Sequence, residues 1–336
     1  MRDSGSGEAQ APARIVAEAE ALTERLHGLR AEIGRVIFGQ EEVVEQTLIT
    51  LLAGGHGLLV GVPGLGKTRL VETLSTVLGL ATRRVQFTPD LMPADILGSE
   101  VLDEGADGRR SFRFLPGPVF CQLLMADEIN RASPRTQSAL LQAMQEGKVA
   151  VAGLDHPLPR PFHVLATQNP IEQEGTYPLP EAQLDRFLLE IAITYPERAA
   201  ERAMLLATTG AESAAPRPVL DGAELLAAQA LIRRVPVGET VVDAILSLVR
   251  DGRPESSPDG TLARRLAWGP GPRAAQALML ACRARALLDG RLAPSLDDVA
   301  ALAPPVLRHR MALSFAARAE GVTIAEIIAG LIERLG

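Results

Sequence analysis

The residues best suited to chemistry lie in segment 61–68, which reads GVPGLGKT. This spacing of glycines ahead of a Lys-Thr pair is typical of a loop that binds phosphate groups. The glycines would let backbone N–H groups approach the phosphates, and Lys67 would reach the β- and γ-phosphates. Of the 34 Lys and Arg residues only Lys67 and Lys148 are lysine, which favours a functional loop over a chance glycine-rich turn. The predicted nucleotide contacts are Gly61, Val62, Pro63, Gly64, Leu65, Gly66, Lys67, Thr68 and Arg69.

Two carboxylates, Asp127 and Glu128, follow the apolar run 123–126. That run predicts a buried strand, and open α/β sheets bind their ligands at the carboxyl ends of strands. Asp127 would hold Mg²⁺ through water, with the Thr68 hydroxyl as a second ligand, and Glu128 would orient and polarise the attacking water. An ordinary acidic strand end is the alternative, and the phosphate-binding loop upstream makes it the weaker one.

Asn169 lies two residues after a further apolar run, 163–167, and precedes Pro170. A parallel strand beside the first would bring this amide near the γ-phosphate and the water, so we predict that Asn169 senses the nucleotide. The alternative is that Asn169 only starts the turn that Pro170 enforces.

The elements that must position these residues follow from the apolar pattern and its interruptions. Apolar runs predict strands at 58–60, 84–88, 122–126, 163–167 and 187–193, and helical periodicity appears at 15–36, 41–52, 67–78 and 134–145. Ser133, Pro134 and Gly147 are the expected N-cap, first residue and stop of the last of these helices. Alternating strands and helices imply an α/β fold with a parallel sheet flanked by helices.

Two glycine- or proline-rich segments, 98–118 and 148–161, interrupt this alternation and are predicted to be inserted hairpins. After 196 only helical patterns follow, at 197–208, 223–233, 240–249, 273–288, 296–307 and 324–335. We therefore expect a disordered tail at 1–13, a nucleotide-binding core at 14–196 and a smaller all-α domain at 197–336.

Composition narrows the functional classes. The net charge is −7 and the chain has eight Phe, two Tyr and one Trp, which argues against a general nucleic-acid-binding protein. Arg109, Arg110 and Arg113 in the first hairpin are more simply a solvated turn or a contact between subunits. No run has the roughly 18 apolar residues that a membrane helix needs, and the first thirteen residues lack the apolar core of a signal peptide, so a cytoplasmic location is expected. Cys121 and Cys282 have no Cys or His at ligand spacing, which predicts buried free thiols.

Several motifs together resemble the MoxR family of AAA+ ATPases. The matching segments are 38–40 (FGQ), 61–68, 126–132 (ADEINRA), 136–141 (TQSALL), 166–170 (ATQNP), 179–187 (LPEAQLDRF), 269–274 (GPGPRA) and 307–310 (LRHR), so the resemblance covers nearly the whole chain.

This resemblance implies a P-loop AAA+ core with a helical lid, ATP and Mg²⁺ as cofactors, and a homo-oligomer, a hexamer being the expected form. It adds Phe38, Gly39 and Gln40 to the nucleotide contacts. It also implies that Arg186 is a finger that reaches a neighbour's nucleotide and that Arg273 is the sensor arginine of the lid. Without the family, Arg186 is more simply an ion pair with Asp185, and Arg273 a solvated arginine at a helix start.

The leading functional hypothesis is a ring-forming ATPase that remodels or matures a client protein, with a von Willebrand A domain protein as partner. One alternative is a chelatase-like motor for metal insertion or a DNA-acting relative, and another is a nucleotide-switched scaffold with little turnover. Glu128 and Arg186 argue against the scaffold, because a pure switch needs neither. The client and the role of the two hairpins do not follow from the sequence.

Overall fold

A computed structural model describes residues 6–104, 110–171, 175–209 and 215–335. The strands are β1 (Gly57–Val60), β2 (Thr82–Gln86), β3 (Gly98–Glu104), β4 (Arg110–Pro116), β5 (Leu123–Asp127), β6 (Lys148–Val151), β7 (Leu154–Pro157), β8 (His163–Gln168), β9 (Leu189–Ala192), β10 (Leu266–Trp268) and β11 (Ala312–Leu313).

Helices occupy most of the remaining described chain. They are α1 (Ser6–Gly34), α2 (Glu41–Leu52), α3 (Lys67–Val77), α4 (Pro93–Leu97), α5 (Pro134–Glu146), α6 (Glu181–Leu184), α7 (Arg198–Thr209), α8 (Gly222–Ile232), α9 (Glu239–Asp251), α10 (Gly260–Arg265), α11 (Pro272–Leu288), α12 (Leu296–Leu307), α13 (Phe315–Ala319) and α14 (Ile324–Ile332).

The central sheet is parallel and has the order β2-β5-β8-β1-β9. All five predicted strands are present in it, with ends displaced by no more than two residues. In β5 and β8 nearly every residue is buried, because helices cover both faces of the sheet. The sheet therefore brings the ends of β1, β5 and β8, where the predicted site residues lie, to one edge.

Local capping signals place α5 as the sequence predicts. The Ser133 side chain accepts a hydrogen bond from the Thr136 N–H, Pro134 is the first helical residue, and Gly147 ends the helix with φ +63°. A left-handed residue at this position terminates a helix with little strain when it is glycine.

The two predicted hairpins are confirmed as antiparallel pairs, β3 with β4 and β6 with β7. Gly105, Gly108 and Arg109 of the first hairpin lie outside the described residues. Phe114 on β4 stacks on His156 on β7, with ring centroids 3.9 Å apart and planes inclined by 20°. This aromatic contact joins the two insertions to each other.

The second half of the chain departs from the all-α prediction, because β10 and β11 form a small antiparallel sheet. Strands of three and two residues are too short to show a period of two in the sequence. Helix α1 also begins at Ser6, within the stretch 1–13 expected to be disordered, and residues 1–5 lie outside the described part. Ala, which occupies three of the six positions 8–13, favours extension of a helix.

Apolar side chains form one cluster on each face of the sheet. One cluster contains α5 residues such as Leu140 and Leu141. The other joins Leu29 of α1 and Leu74 of α3 to Leu278 of α11 and Val306 of α12. The helices after 196 therefore share a continuous core with the nucleotide-binding half, and the division into 14–196 and 197–336 stays a proposal. Among the described residues, no helix is both long and apolar enough to cross a membrane.

Two buried histidines, His163 and His309, and the half-buried His56 hold parts of this structure together. The Val164 N–H donates to His56 Nδ1 at 3.0 Å, and His163 Nδ1 lies 2.7 Å from the Gly55 carbonyl oxygen. Desolvation, with a smaller contribution from His163, lowers the pKa of His56 to about 3. Burial also lowers the pKa of His163 and of His309.

We predict that stability falls as the pH drops below about 6.5, the usual histidine pKa. Between pH 6.5 and about 3 the unfolded chain binds a proton at His56 that the folded chain does not, so acid favours unfolding. The free energy of unfolding, measured in urea at pH 7.5 and 5.5, should depend less on pH in His56→Gln, by up to about 1.4 kcal/mol per pH unit. His27→Gln removes an exposed histidine and should leave the pH dependence as in the wild type. Equal pH dependence in all three proteins would contradict the prediction.

Candidate active site

The phosphate-binding loop joins the carboxyl end of β1 to helix α3. Gly66 is the N-cap of α3 with φ +78°, a left-handed conformation that favours glycine. The first N–H groups of α3 have no acceptor within the helix, so they are available to an anion. Lys67 Nζ donates to the Gly61 carbonyl oxygen at 2.5 Å. Partial burial lowers the pKa of Lys67, and the charges of Asp127 and Glu128 oppose that shift, which places both carboxylates beside the loop.

Asp127 lies at the carboxyl end of β5, and its side chain is 14% exposed. Its Oδ1 accepts a hydrogen bond from Thr167 Oγ1 at 2.5 Å. Its Oδ2 accepts from Arg84, with Nη2 at 2.5 Å and Nε at 3.2 Å. Both carboxylate oxygens are thus oriented by side chains of the neighbouring strands.

Glu128 has a left-handed backbone, with φ +56°. This conformation is costly for a residue other than glycine, and it is held by a 2.9 Å hydrogen bond from the Glu128 N–H to Thr167 Oγ1. The carboxylate Oε2 accepts from Gln86 Nε2 at 2.7 Å and from Arg131 Nη1 at 3.3 Å. Thr167 therefore holds the Asp127 carboxylate and the backbone of Glu128, a role that its place in an apolar strand did not reveal.

Asn169 directly follows β8, which lies between β1 and β5, and it is 5% exposed. The preceding residue accepts a hydrogen bond from the Gly61 N–H at 3.2 Å, so Asn169 lies beside the start of the phosphate-binding loop. Its Oδ1 accepts from the Ile171 N–H at 3.2 Å, as expected for a residue that starts a turn. The NH₂ group is the part of this side chain that can donate to a phosphate or a water.

A cavity of about 260 Å³ opens beside the loop. Its lining includes the predicted residues Phe38, Gln40, Gly64, Leu65, Gly66 and Arg69. Gln40 Nε2 donates to the Leu65 carbonyl oxygen at 2.9 Å, which ties the FGQ segment to the loop. Gly39 has φ +65°, and a Cβ built there would lie 2.2 Å from the Ala200 Cβ, so only glycine lets helix α7 pack this closely.

Helix α7 and the residues just before it supply cavity walls that the sequence did not predict. Tyr195, Met204 and Thr208 line the same cavity as the phosphate-binding loop. In α7 the repeat of apolar residues indicated an amphipathic helix but not what its apolar face would cover. Met204 and Thr208 are one helical turn apart and so lie on the same face of the helix, and this spacing is the sequence feature that could have predicted the cavity wall.

The donor set suits a magnesium ion that is shared with phosphate groups. Within the described residues, no group of three or more His, Cys, Asp or Glu side chains could hold a metal by itself. Mg²⁺ keeps several waters and is usually held by one or two protein oxygens together with phosphates. The Thr68 hydroxyl, directly, and the Asp127 carboxylate, through a water on the ion, would supply the protein's share.

Arg186 and Arg273 lie together, away from the loop of their own chain. Both line a second cavity, about 260 Å³ in volume, that also includes His56 and Asp185. Arg273 Nη1 is 3.8 Å from Asp185 Oδ2. Arg186 precedes β9, which runs parallel to β1, and the Leu188 N–H donates to the His56 carbonyl oxygen at 2.7 Å. The two arginines thus lie at the amino edge of the sheet, separated from the loop by a strand of about 13 Å.

Arg310 binds this second group of residues, and its role did not follow from the sequence. The residue is 2% exposed, and its guanidinium donates to Asp185 Oδ1 at 2.7 Å and to the carbonyl oxygens of Phe187 at 2.5 Å and Leu188 at 3.2 Å. The arginine comes from the segment after α12 and its acceptors from the turn before β9. In the sequence, Arg310 belongs to the family motif LRHR at 307–310, but no chemical role was assigned to that motif.

Two parts of the chain match known domain families. Residues 56–189 match the ATPase family associated with various cellular activities (AAA), and residues 262–331 match the AAA lid domain. The second match covers α10 to α14, including the short sheet of β10 and β11.

Whole-chain relatives agree with these matches. The chain is 42% identical to Chaperone MoxR1 of Mycobacterium tuberculosis, over 91% of this chain and 81% of the relative. It is 33% identical to Protein MoxR of Methylorubrum extorquens, over 84% of this chain and 86% of that protein. A crystal structure of a Cytophaga hutchinsonii protein with an ascribed ATPase function superposes with a TM-score of 0.87 at 35% identity, over 97% and 98% of the two chains.

We expect Lys67→Ala to weaken ATP binding by about tenfold to 150-fold, the equivalent of one charge-assisted contact of 1.5 to 3 kcal/mol. Titration calorimetry with ATP measures this directly. Lys148→Ala is the matched control, because Lys148 is the other lysine of the chain and its Nζ pairs with Asp155 at 2.6 Å on the second hairpin. Near-normal affinity in Lys67→Ala would remove this loop from the nucleotide site.

Proposed function

This chain belongs to the MoxR family of AAA+ ATPases, and we propose that it hydrolyses ATP with Mg²⁺ to drive the remodelling of a client protein. The observation that carries the ATPase proposal is the gathering of Lys67, Asp127, Glu128 and Asn169 at the carboxyl edge of one parallel sheet. Phosphoryl transfer asks the protein mainly for positioning and for stabilisation of charge, and this arrangement offers both.

Each residue of the group has a distinct proposed role. Lys67 neutralises charge on the β- and γ-phosphates, and Thr68 with Asp127 holds the Mg²⁺ that draws the phosphate oxygens into place. Glu128 accepts a hydrogen bond from the attacking water and polarises it. Asn169 donates its NH₂ group to the γ-phosphate or to that water.

The positions of Arg186 and Arg273 support assembly into a ring, for which a hexamer is our proposal. At the amino edge of the sheet they cannot reach the nucleotide bound at the carboxyl edge of the same chain. In a head-to-tail ring the amino edge of one subunit can face the nucleotide of the next. Both arginines would then complete the neighbour's site, with Arg186 as the finger and Arg273 as the sensor.

Client remodelling is proposed from the relatives and from the two hairpins. One relative is named a chaperone. Leu102 and Phe112 face each other across the first hairpin with 55% and 72% exposure, and Leu154 of the second hairpin is 61% exposed. Such side chains can contact an unfolded apolar segment. A von Willebrand A domain protein as partner remains part of the proposal from the family alone.

Nucleic acid is a poorer substrate for these hairpins. Arg110 pairs with Glu104 at 3.2 Å and Arg113 pairs with Asp103 at 3.2 Å, so the described basic residues of the first hairpin are already neutralised by carboxylates. Free phosphate-binding arginines are what a nucleic-acid surface requires. A cytoplasmic location belongs to the proposal too, because Cys121 and Cys282 are both buried free thiols, as is usual in a reducing compartment.

Glu128→Gln should retain ATP binding and lose hydrolysis by about 10² to 10⁴, since an amide keeps the shape but cannot accept a proton. Phosphate release and calorimetric ATP affinity measured on the same protein separate the two effects. Glu333→Gln, an exposed carboxylate near the C-terminus, is the control. Unchanged turnover with unchanged affinity would show that Glu128 takes no part in the reaction and would favour a different water-activating group.

Mixing two inactive variants tests whether Arg186 acts on the neighbouring subunit. Arg186→Ala keeps an intact Glu128, and Glu128→Gln keeps an intact Arg186, so a mixed ring contains interfaces with a complete site. Arg186→Ala alone should lose about 10³ to 10⁵ in rate, and Glu128→Gln alone about 10² to 10⁴. Activity should return when the two variants are mixed.

The control for this experiment is a mixture of Arg186→Ala with the double variant Glu128→Gln/Arg186→Ala. No subunit in that mixture supplies the arginine, so it should stay inactive. If the first mixture is also inactive although co-assembly is verified by size, the arginine does not act between subunits.

A further inference from the structure

Arg84 is a basic side chain that contacts the proposed magnesium ligand from outside the predicted site. It lies on β2, the edge strand of the sheet, next to β5. Its guanidinium donates to Asp127 Oδ2 from Nη2 at 2.5 Å and from Nε at 3.2 Å. The Arg84 side chain is 51% exposed, whereas that of Asp127 is 14% exposed.

The same strand also contacts the carboxylate proposed to polarise water. Gln86, two residues beyond Arg84 and therefore on the same face of β2, donates to Glu128 Oε2 at 2.7 Å. Arg84 Nη2 lies 3.4 Å from Gln86 Oε1. Arg84, Gln86, Asp127 and Glu128 thus form one hydrogen-bonded chain.

Arg84 and Mg²⁺ would compete for the Asp127 carboxylate. Thr167 occupies Oδ1 and Arg84 occupies Oδ2, so both carboxylate oxygens already accept hydrogen bonds. A guanidinium at 2.5 Å also neutralises the negative charge that would attract a divalent cation. Repulsion between the cation and the guanidinium adds to this opposition.

We propose that Arg84 is a positioning residue that holds Asp127 until Mg²⁺ arrives with the nucleotide and is then displaced from Oδ2. This inference rests on the proposed Mg²⁺-dependent ATPase function. A half-exposed guanidinium can move into water at little cost, and Asp127 remains oriented by Thr167. Arg84 therefore opposes the part of nucleotide binding that depends on Mg²⁺. When its guanidinium leaves, its contact with Gln86 is lost, and Gln86 is the residue that donates to Glu128.

The test measures how much Mg²⁺ strengthens nucleotide binding. The affinity for a fluorescent, non-hydrolysable ATP analogue is determined by titration in EDTA and in Mg²⁺, and the ratio of the two dissociation constants is the readout. Without a competing guanidinium, the gain from Mg²⁺ should be about twofold to fivefold larger in Arg84→Gln than in the wild type, the range expected for an exposed ion pair. Binding in EDTA should stay unchanged.

Two variants sharpen this comparison. Arg83→Gln removes the same charge from the adjacent exposed position, whose side chain points to the other face of β2, and should leave the ratio at the wild-type value. Arg84→Lys keeps the charge without the two-pronged contact and should give an intermediate ratio. A loss of folded structure would change both affinities together and leave the ratio unaltered.

Three results would overturn the inference. One is an equal ratio in Arg84→Gln and Arg83→Gln, and another is a smaller gain from Mg²⁺ in Arg84→Gln. The third is weaker binding of the analogue to Arg84→Gln in EDTA while the circular-dichroism spectrum and thermal unfolding of the variant match the wild type, which would make Arg84 a phosphate contact. Failure of the proposed function is recognised separately, because the wild type would then show no ATP hydrolysis and no gain in affinity from Mg²⁺.

Discussion

The buried guanidinium of Arg310 is the contact on which the arrangement of the two halves depends. Removing a charge from water is costly unless its donors are paired, and here Nε, Nη1 and Nη2 all find acceptors. Burial lowers the pKa of Arg310, and the Asp185 carboxylate opposes that shift. Because the acceptors belong to the turn before β9, this side chain joins the segment after α12 to the sheet, beside the shared apolar core, and orients the turn that carries Asp185 and Arg186.

The parallel sheet separates the proposed nucleotide-binding residues from Arg186 and Arg273. The residues proposed to bind phosphate and to polarise water follow strands and so lie at the carboxyl edge, whereas Arg186 precedes a strand and lies at the amino edge. Asp185 pairs with both Arg310 and Arg273, which brings an arginine of the lid to the same edge. A single chain thus offers a nucleotide pocket on one side and a pair of arginines on the other.

The sequence predicted the features that depend on neighbouring residues and missed those that depend on distant ones. The five core strands, the capped helix α5 and the loop between β1 and α3 were confirmed, because their signals lie within a dozen residues. Arg84 contacts Asp127 across 43 positions, and Arg310 contacts Asp185 across 125. No periodicity encodes such pairs. The short sheet of β10 and β11 was missed because its strands are too brief to show alternation.

The packing of α1 was a further feature beyond local signals. Its amphipathic stripe was evident, but Thr23 Oγ1 donates to the Leu287 carbonyl oxygen at 3.2 Å, and Arg30 pairs with Asp289 at 3.2 Å, both at the end of α11. An N-terminal helix assigned to the nucleotide core therefore packs on the lid, because its apolar stripe is completed by helices more than 200 residues later in the chain.

The continuous apolar cluster that joins α1, α3, α11 and α12 has a mechanical consequence. Opening a cleft between the lid and the sheet would expose that cluster to water, at a cost of about 25 cal/mol for each Å² of apolar surface. Helix α7 is different, because none of its residues is buried. A shift of α7 therefore costs less apolar burial than a separation of the lid from the sheet, so α7 is the element that can move while the shared core stays intact.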